Sequence, residues 1–204
     1  RHAEESGADG LLVVTPYYNK ATQNGLIKHY THLADRVNKP IILYNVPGRT
    51  GVSFEPETYF ELSKHPNING VKEASADVNL MSRTMALCGD DLNIWSGDDS
   101  FGVACMSLGG KGIISVLANI LPGVVSDICA YCLKGDFDNA RKLDLKYIEL
   151  MCAMFYEVNP IPVKTAMNLM GFDVGELRLP LCDMEPDNLE KMKKAMLNAG
   201  MKLK

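Results

Sequence analysis

The sequence contains no run of about 18 apolar residues, the length needed to cross a bilayer as a helix. It also has no surplus of basic residues. The 21 Lys and Arg stand against 25 Asp and Glu for a net charge of −4, so the electrostatic footprint expected of a nucleic-acid-binding protein is missing. No GxGxxG follows any candidate strand, which argues against an open dinucleotide-binding sheet. "GGKG" at 109–112 comes before a strand, not after one, and lacks the Walker spacing.

Metal-ligand spacing is equally scarce. The six cysteines (Cys88, Cys105, Cys129, Cys132, Cys152 and Cys182) include one CxxC pair, which is too few ligands for a structural zinc site. That pair, Cys129 and Cys132, lies inside "VVSDICAYCL", a helix-like run and not the strand-to-helix turn that a redox pair uses, so packing is its expected role. Most of the cysteines sit in apolar surroundings such as "GVACMSL" and "ELMCAMF" and are expected to be small core residues in a reducing compartment, the cytoplasm. His29 and His32 are three apart on a helix without a third ligand and are expected on an exposed face. No metal and no cofactor is expected.

What is present is a rhythm. With 47% hydrophobic residues the chain can bury a sizeable core. Short apolar or β-branched runs alternate with longer amphipathic ones. Strands are expected at 10–16, 40–45, 68–74, 93–97 and 112–119, and helices at 25–37, 56–65, 79–89, 101–109 and 123–135. Such βα repetition implies a parallel sheet covered by helices. From Asp136 onward the chain reads as helices: 137–156, 160–171 opened by prolines, and 187–200 capped by Asp187 or Asn188 and closed by Gly200. The expected domains are therefore 1–135 and 136–204. With no glycine-rich turn for an open sheet, a closed α/β barrel is the better architecture. It needs eight strands, so the expected fold is a (β/α)8 TIM barrel lacking about the first three βα units, followed by a C-terminal helical domain.

In such a barrel, active sites gather at the strand C-termini. Polar residues do collect there: Tyr17 and Tyr18 after the first strand, Tyr44 and Arg49 after the second, Lys72 at the end of the third, Gly97, Asp98 and Asp99 after the fourth, Ser115 on the fifth. By alternation, Ile42 and Tyr44 share one face of their strand, and Ile68, Gly70 and Lys72 share one face of theirs, with Gly70 leaving room beneath the lysine. A lysine sheltered from water has a lowered pKa and becomes a nucleophile toward carbonyls. A phenol can shuttle the protons of imine formation, and an arginine can clamp a carboxylate. Lys, Tyr and Arg together suit a keto acid held as a Schiff base. Each also has an ordinary reading: Lys72 solvated or paired with the adjacent Glu73, Tyr44 a core tyrosine, Arg49 a surface charge, Asp98 and Asp99 helix caps. Lys164, in the helical tail, is a weaker rival to Lys72.

The segments "YNVPGRTG" (44–51) and "GVKEAS" (70–75), with "TPYYNKATQNGL" (15–26), "SGDDS" (96–100), "GGKGIISVLAN" (109–119) and "NPIPVK" (159–164) in the same order, resemble the dihydrodipicolinate synthase family of pyruvate-dependent class I aldolases. The resemblance implies condensation of pyruvate with L-aspartate 4-semialdehyde, in the diaminopimelate route to lysine, by a homotetramer built as a dimer of dimers. It implies that Lys72 forms the imine, that Tyr44 is the central relay phenol, and that Tyr18 completes the relay from a neighbouring subunit. It further implies that Arg49 binds the semialdehyde carboxylate, that Gly97 and Ile114 line the pocket, and that Tyr17 sits at the effector site of lysine-inhibited members. Arg49 argues against the similar N-acetylneuraminate lyases. Sugar-acid aldolases are the alternative, and a non-catalytic barrel half used for oligomerisation or sensing is a second one. The threonine pair of the family's glycine-rich segment is not in this sequence, so these 204 residues alone are expected to be inactive.

Overall fold

The computed structural model describes residues 1–204. The chain divides into two compact units, Arg1–Ile114 and Ser115–Lys204.

The first unit is built on five parallel strands in sequential order. They are β1 (Leu11–Val14), β2 (Ile41–Asn45), β3 (Ile68–Glu73), β4 (Asn93–Ser96) and β5 (Gly112–Ile113). The helices between them are α2 (Gln23–Ala34), α3 (Pro47–Thr50), α4 (Pro56–Ser63), α5 (Val78–Cys88) and α6 (Gly102–Ser107), and the short α1 (His2–Glu5) precedes β1. Leu43, Val71 and Ile94 lie side by side across the sheet. Together with Ile41 and Ile68 they join Leu26, Tyr30, Tyr59, Leu62 and Met81 of the covering helices in one buried cluster. Helix starts follow their sequence signals: Thr22 caps α2 and Asp77 caps α5 through side-chain oxygens.

The expected alternation along β3 breaks once. The β2–β3 register shifts between Ile41 and Ile42, so Ile41 opposes Ile68 while Ile42 opposes Gly70. The extra residue turns Ile68 to the helix-covered side, where it is buried. Ile68 therefore does not share a face with Gly70 and Lys72. The fifth strand is also shorter than the sequence run 112–119 implies. It ends at Ile113, and Leu117–Asn119 forms a 3-10 turn.

The second unit is helical: α7 (Pro122–Leu133), α8 (Phe137–Ala153), α9 (Ile161–Leu169) and α10 (Pro186–Asn198). Ala140, Tyr147, Leu150 and Met151 recur at helical spacing as the buried stripe of α8, which packs against α7 and α10. Helix α10 is capped two residues before Asp187, the earlier of the two expected caps. Glu185 holds the N-cap place and Pro186 takes the first position, where its missing N–H is not needed. None of the six cysteines is in a disulfide. Cys88, Cys105 and Cys132 are buried as expected, whereas Cys152 and Cys182 are exposed.

Candidate active site

Strand register assembles the site. The pairings Val14–Tyr44, Tyr44–Lys72, Lys72–Trp95 and Trp95–Gly112 form one continuous row across all five strands, near their C-terminal ends. This row lies on the face opposite the helix-packed core. Tyr44 and Lys72, separated by 28 positions in sequence, are thus direct neighbours, and the Lys72 ammonium nitrogen lies 4.4 Å from the centre of the Tyr44 ring.

Glycines make the space around the lysine, though not the one expected. A methyl carbon on Gly97 would stand 2.8 Å from Ala74 Cβ, 3.0 Å from Lys72 Cε and 3.1 Å from Lys72 Cγ. Gly97 therefore gives the lysine stem its channel. Gly70 serves a different neighbour: a methyl there would lie 2.4 Å from the Trp95 ring and 2.9 Å from the Asn93 carbonyl oxygen. The indole occupies the place beneath the lysine that Gly70 leaves. Gly112, on the far side, lies 3.4 Å from the same indole by the same measure.

The surroundings shift Lys72 toward its neutral form. Burial lowers the Lys72 pKa, the nearby Asp99 carboxylate opposes that change, and the Arg49 guanidinium adds to it. Burial raises the Tyr44 phenol and Arg49 partly offsets this. Arg49 stands exposed in the helical turn α3, where its charge is felt by both. Asp98 and Asp99 have separate roles. Asp98 caps the next turn by accepting from the Ser100 N–H at 2.9 Å, while Asp99 is buried and acts on Lys72.

Glu73 does not pair with Lys72. As the next residue on the strand it points to the other side, where it is 2% exposed. Its carboxylate accepts from Tyr59 Oη at 2.7 Å, from Asn45 Nδ2 at 3.0 Å and from the Ser75 N–H at 2.8 Å. Burial pushes its pKa up, and the bonds from Ser75, Tyr59 and Asn45 pull it back.

Tyr17 and Tyr18 are 68% and 89% exposed in the turn after β1, with Tyr18 at φ 67°. The Ile114 N–H donates to the Ser96 carbonyl at 2.8 Å. Lys164 sits on α9 and donates to the Glu176 carbonyl. His29 and His32 gather no further ligands, and no group of three or more His, Cys, Asp or Glu is arranged to hold a metal. Sequence reasoning did not single out Trp95, or the carboxylate of Asp99 as a partner of the lysine. The one available signal was a lone tryptophan on a strand flanked by strands carrying glycines.

A sheltered primary amine beside a phenol, with a guanidinium at the rim, can condense with a ketone and move the protons that step requires. The model of the "Dihydrodipicolinate synthetase family" matches residues 1–199. The 4-hydroxy-tetrahydrodipicolinate synthase of Caldicellulosiruptor saccharolyticus is 52% identical over 204 residues, which is 100% of this chain and 69% of that protein. A dihydrodipicolinate synthase structure from Aquifex aeolicus superimposes with a TM-score of 0.96 at 42% identity, covering 100% of this chain and 70% of the other. A chloride-inhibited dihydrodipicolinate synthase from Acinetobacter baumannii, described as complexed with pyruvate, gives a TM-score of 0.94 at 43% identity, covering 98% of this chain and 68% of the other.

Proposed function

This chain belongs to the dihydrodipicolinate synthetase family, and from that membership and the Tyr44–Lys72 pair we propose that it catalyses the 4-hydroxy-tetrahydrodipicolinate synthase reaction. Pyruvate condenses with L-aspartate 4-semialdehyde through a lysine Schiff base, in lysine biosynthesis. The observation that carries the assignment to this site is the Lys72 amine held 4.4 Å over the Tyr44 ring with its pKa lowered by burial.

The chemistry follows from those groups. The neutral Lys72 amine adds to the pyruvate ketone carbon, and the carbinolamine loses water to give a protonated imine. The imine withdraws electrons from the adjacent methyl carbon, which gives up a proton to become an enamine. That carbon attacks the semialdehyde carbonyl, forming the new carbon–carbon bond. Tyr44 moves protons in the imine steps, and Arg49 clamps the carboxylate of the incoming aldehyde. Gly97 gives the lysine stem its path, and the backbone around Ile114 lines the pocket. Arg49 also favours the semialdehyde over a sugar-acid aldehyde.

The five-stranded sheet supports a barrel that is closed by strands outside these 204 residues. A closed barrel needs eight strands, and here β1 and β5 are open edges. Leu12 and Val14 are 49% and 37% exposed on the face that a barrel would enclose. The strongly exposed Tyr18 fits a role in a neighbouring subunit, completing the relay within a homotetramer, and Tyr17 beside it fits an effector contact. The protein is a cytoplasmic enzyme in this reading, and no helix is long and apolar enough to cross a membrane.

Borohydride reduction in the presence of pyruvate, followed by peptide mapping, tests the assignment. The expected result is one pyruvyl adduct, on Lys72, lost in Lys72→Ala. An adduct on Lys164, or none in the protein expressed from its complete reading frame, overturns it. Product formation with aspartate semialdehyde and not with sugar aldehydes separates synthase from aldolase.

A further inference from the structure

The row of residues that follows Tyr44–Lys72–Trp95 along the sheet is Asn45–Glu73–Ser96. It faces the opposite way, and two of its members join a polar network sealed inside the core. Asn45, Glu73 and Tyr59 are 0%, 2% and 1% exposed. Asn45 Nδ2 lies 3.0 Å from each Glu73 oxygen, so the amide straddles the carboxylate. Tyr59 Oη donates to Oε2 from helix α4, and the Ser75 N–H donates to Oε1 from the loop that follows β3. Asn45 is held in turn. Its Nδ2 donates to Ser53 Oγ at 3.2 Å, and its Oδ1 accepts from the Phe54 N–H at 3.4 Å.

A buried carboxylate is costly, and in this core an apolar residue of similar volume would be the cheaper occupant. What the carboxylate supplies that an apolar residue does not is directionality. It joins β2, β3, α4 and the loop after β3 at fixed angles. The residues it joins, Asn45 and Glu73 itself, are the immediate chain neighbours of Tyr44 and Lys72. Sliding or splaying of β2 against β3 by an ångström would break these bonds, and it would also separate phenol and amine by the same amount.

We propose that Glu73 is a positioning residue for the Schiff-base chemistry: clamped by Asn45, Tyr59 and the Ser75 N–H, it fixes the Tyr44 phenol relative to the Lys72 amine from the far side of the sheet. The proposal rests on the assignment of Lys72 and Tyr44 above. It assigns a function to a residue that touches no substrate.

The test uses Glu73→Leu, Glu73→Gln and Tyr59→Phe in the protein expressed from its complete reading frame. Pyruvate trapping at Lys72, kcat, KM for pyruvate and Tm are measured for each. Glutamine can rebuild part of the clamp: its Oε1 accepts from Asn45 and the Ser75 N–H and its amide donates to the Tyr59 oxygen, while the Oε2 that accepted from both Asn45 and Tyr59 is lost. Misplacement by about 1 Å costs on the order of 100-fold, so Glu73→Leu is expected to lower kcat and trapping rate by about that factor with KM within about threefold. Glu73→Gln is expected to recover part of the loss. Tyr59→Phe, which removes one donor and is the milder change, is expected to lower kcat roughly three- to tenfold; it decides the matter if Glu73→Leu does not fold. The proposal is overturned if folded Glu73→Leu, or Tyr59→Phe in its place, reacts at the wild-type rate, or if Glu73→Gln is as slow as Glu73→Leu. Absence of a Lys72 adduct in the wild type is a separate outcome. It removes the functional assignment and this proposal with it, whereas equal trapping by wild type and variants removes this proposal alone.

Discussion

Gly97→Ala isolates the geometry of the Lys72 amine, the proposed nucleophile. The added carbon would sit 2.8 Å from Ala74 Cβ on one side and 3.0 Å and 3.1 Å from Lys72 Cε and Cγ on the other. Ordinary carbon contacts lie near 3.5–4.0 Å, so the lysine stem must retreat by at least about 0.5 Å, and Ala74 prevents the new methyl from yielding in its place. Overpacking of this kind costs about 1–3 kcal/mol. For a chain of this size that is a fall in Tm of roughly 3–10 °C. The effect on rate is expected to be larger, about 10- to 100-fold in pyruvate trapping and kcat, because the proposed nucleophile itself is displaced. The assay pairs the rate of borohydride-trapped adduct formation at Lys72 with a thermal melt. Adding Ala74→Gly removes the 2.8 Å contact and is expected to restore part of both. If Gly97→Ala traps pyruvate at the wild-type rate, the channel formed by Gly97 does not set the position of the amine and the reasoning fails.

Two further outcomes concern stability. Gly70→Ala would drive a methyl to 2.4 Å from the Trp95 ring and 2.9 Å from the Asn93 carbonyl, so it is expected to destabilise by about 3 kcal/mol in urea unfolding and to shift the emission of the only tryptophan. Unchanged emission and midpoint would refute the placement of the indole over Gly70. Asp144 has a buried Oδ1 with no hydrogen-bond partner, and burial raises its pKa from 3.8 to about 6. The folded state then holds this proton more tightly than the unfolded chain. The associated stability is therefore present below about pH 4 and is lost as pH rises through about 6. The full shift corresponds to about 3 kcal/mol, and the partly exposed position reduces it to about 1–2 kcal/mol. Asp144→Asn is expected to be the more stable protein by that margin at pH 7.5 and equal to wild type at pH 4. A difference independent of pH in parallel melts would refute the titration.

Much of the candidate site was legible because its residues are read at strand ends. A lysine closing "INGVK" and a tyrosine closing "IILY" are visible from composition and period alone. The parity of β3 was only half legible. Lys72 and Gly70 share a face as alternation requires, but the register shift beside Ile42 carries Ile68 to the other side. A bulge is decided by what the neighbouring strand and helices can accommodate, and nothing in six residues announces it. The same limit explains the indole. Gly70 was read as space for the nearest bulky side chain along its own strand. The side chain that fills it comes from β4, and only the register of two strands shows that. Glu73 was visible next to Lys72, and an ion pair between the two was one ordinary alternative. Adjacent residues on a strand face opposite ways, so an adjacent carboxylate is the one least able to reach the amine.

The sequence by itself determined the βα alternation, the helical tail, the strand-end placement of Tyr44 and Lys72, and the family. The first three follow from periodicity or from residue types at short spacing, which are properties of local chain; the family rests on a resemblance of motifs in order along the whole chain. Tertiary structure decided which neighbours meet: amine over phenol ring, indole over Gly70, and the Asn45–Glu73–Tyr59 clamp behind them. Those contacts join residues 14 to 28 positions apart, and they are fixed only when strands adopt one register under the packing of the helices that cover them.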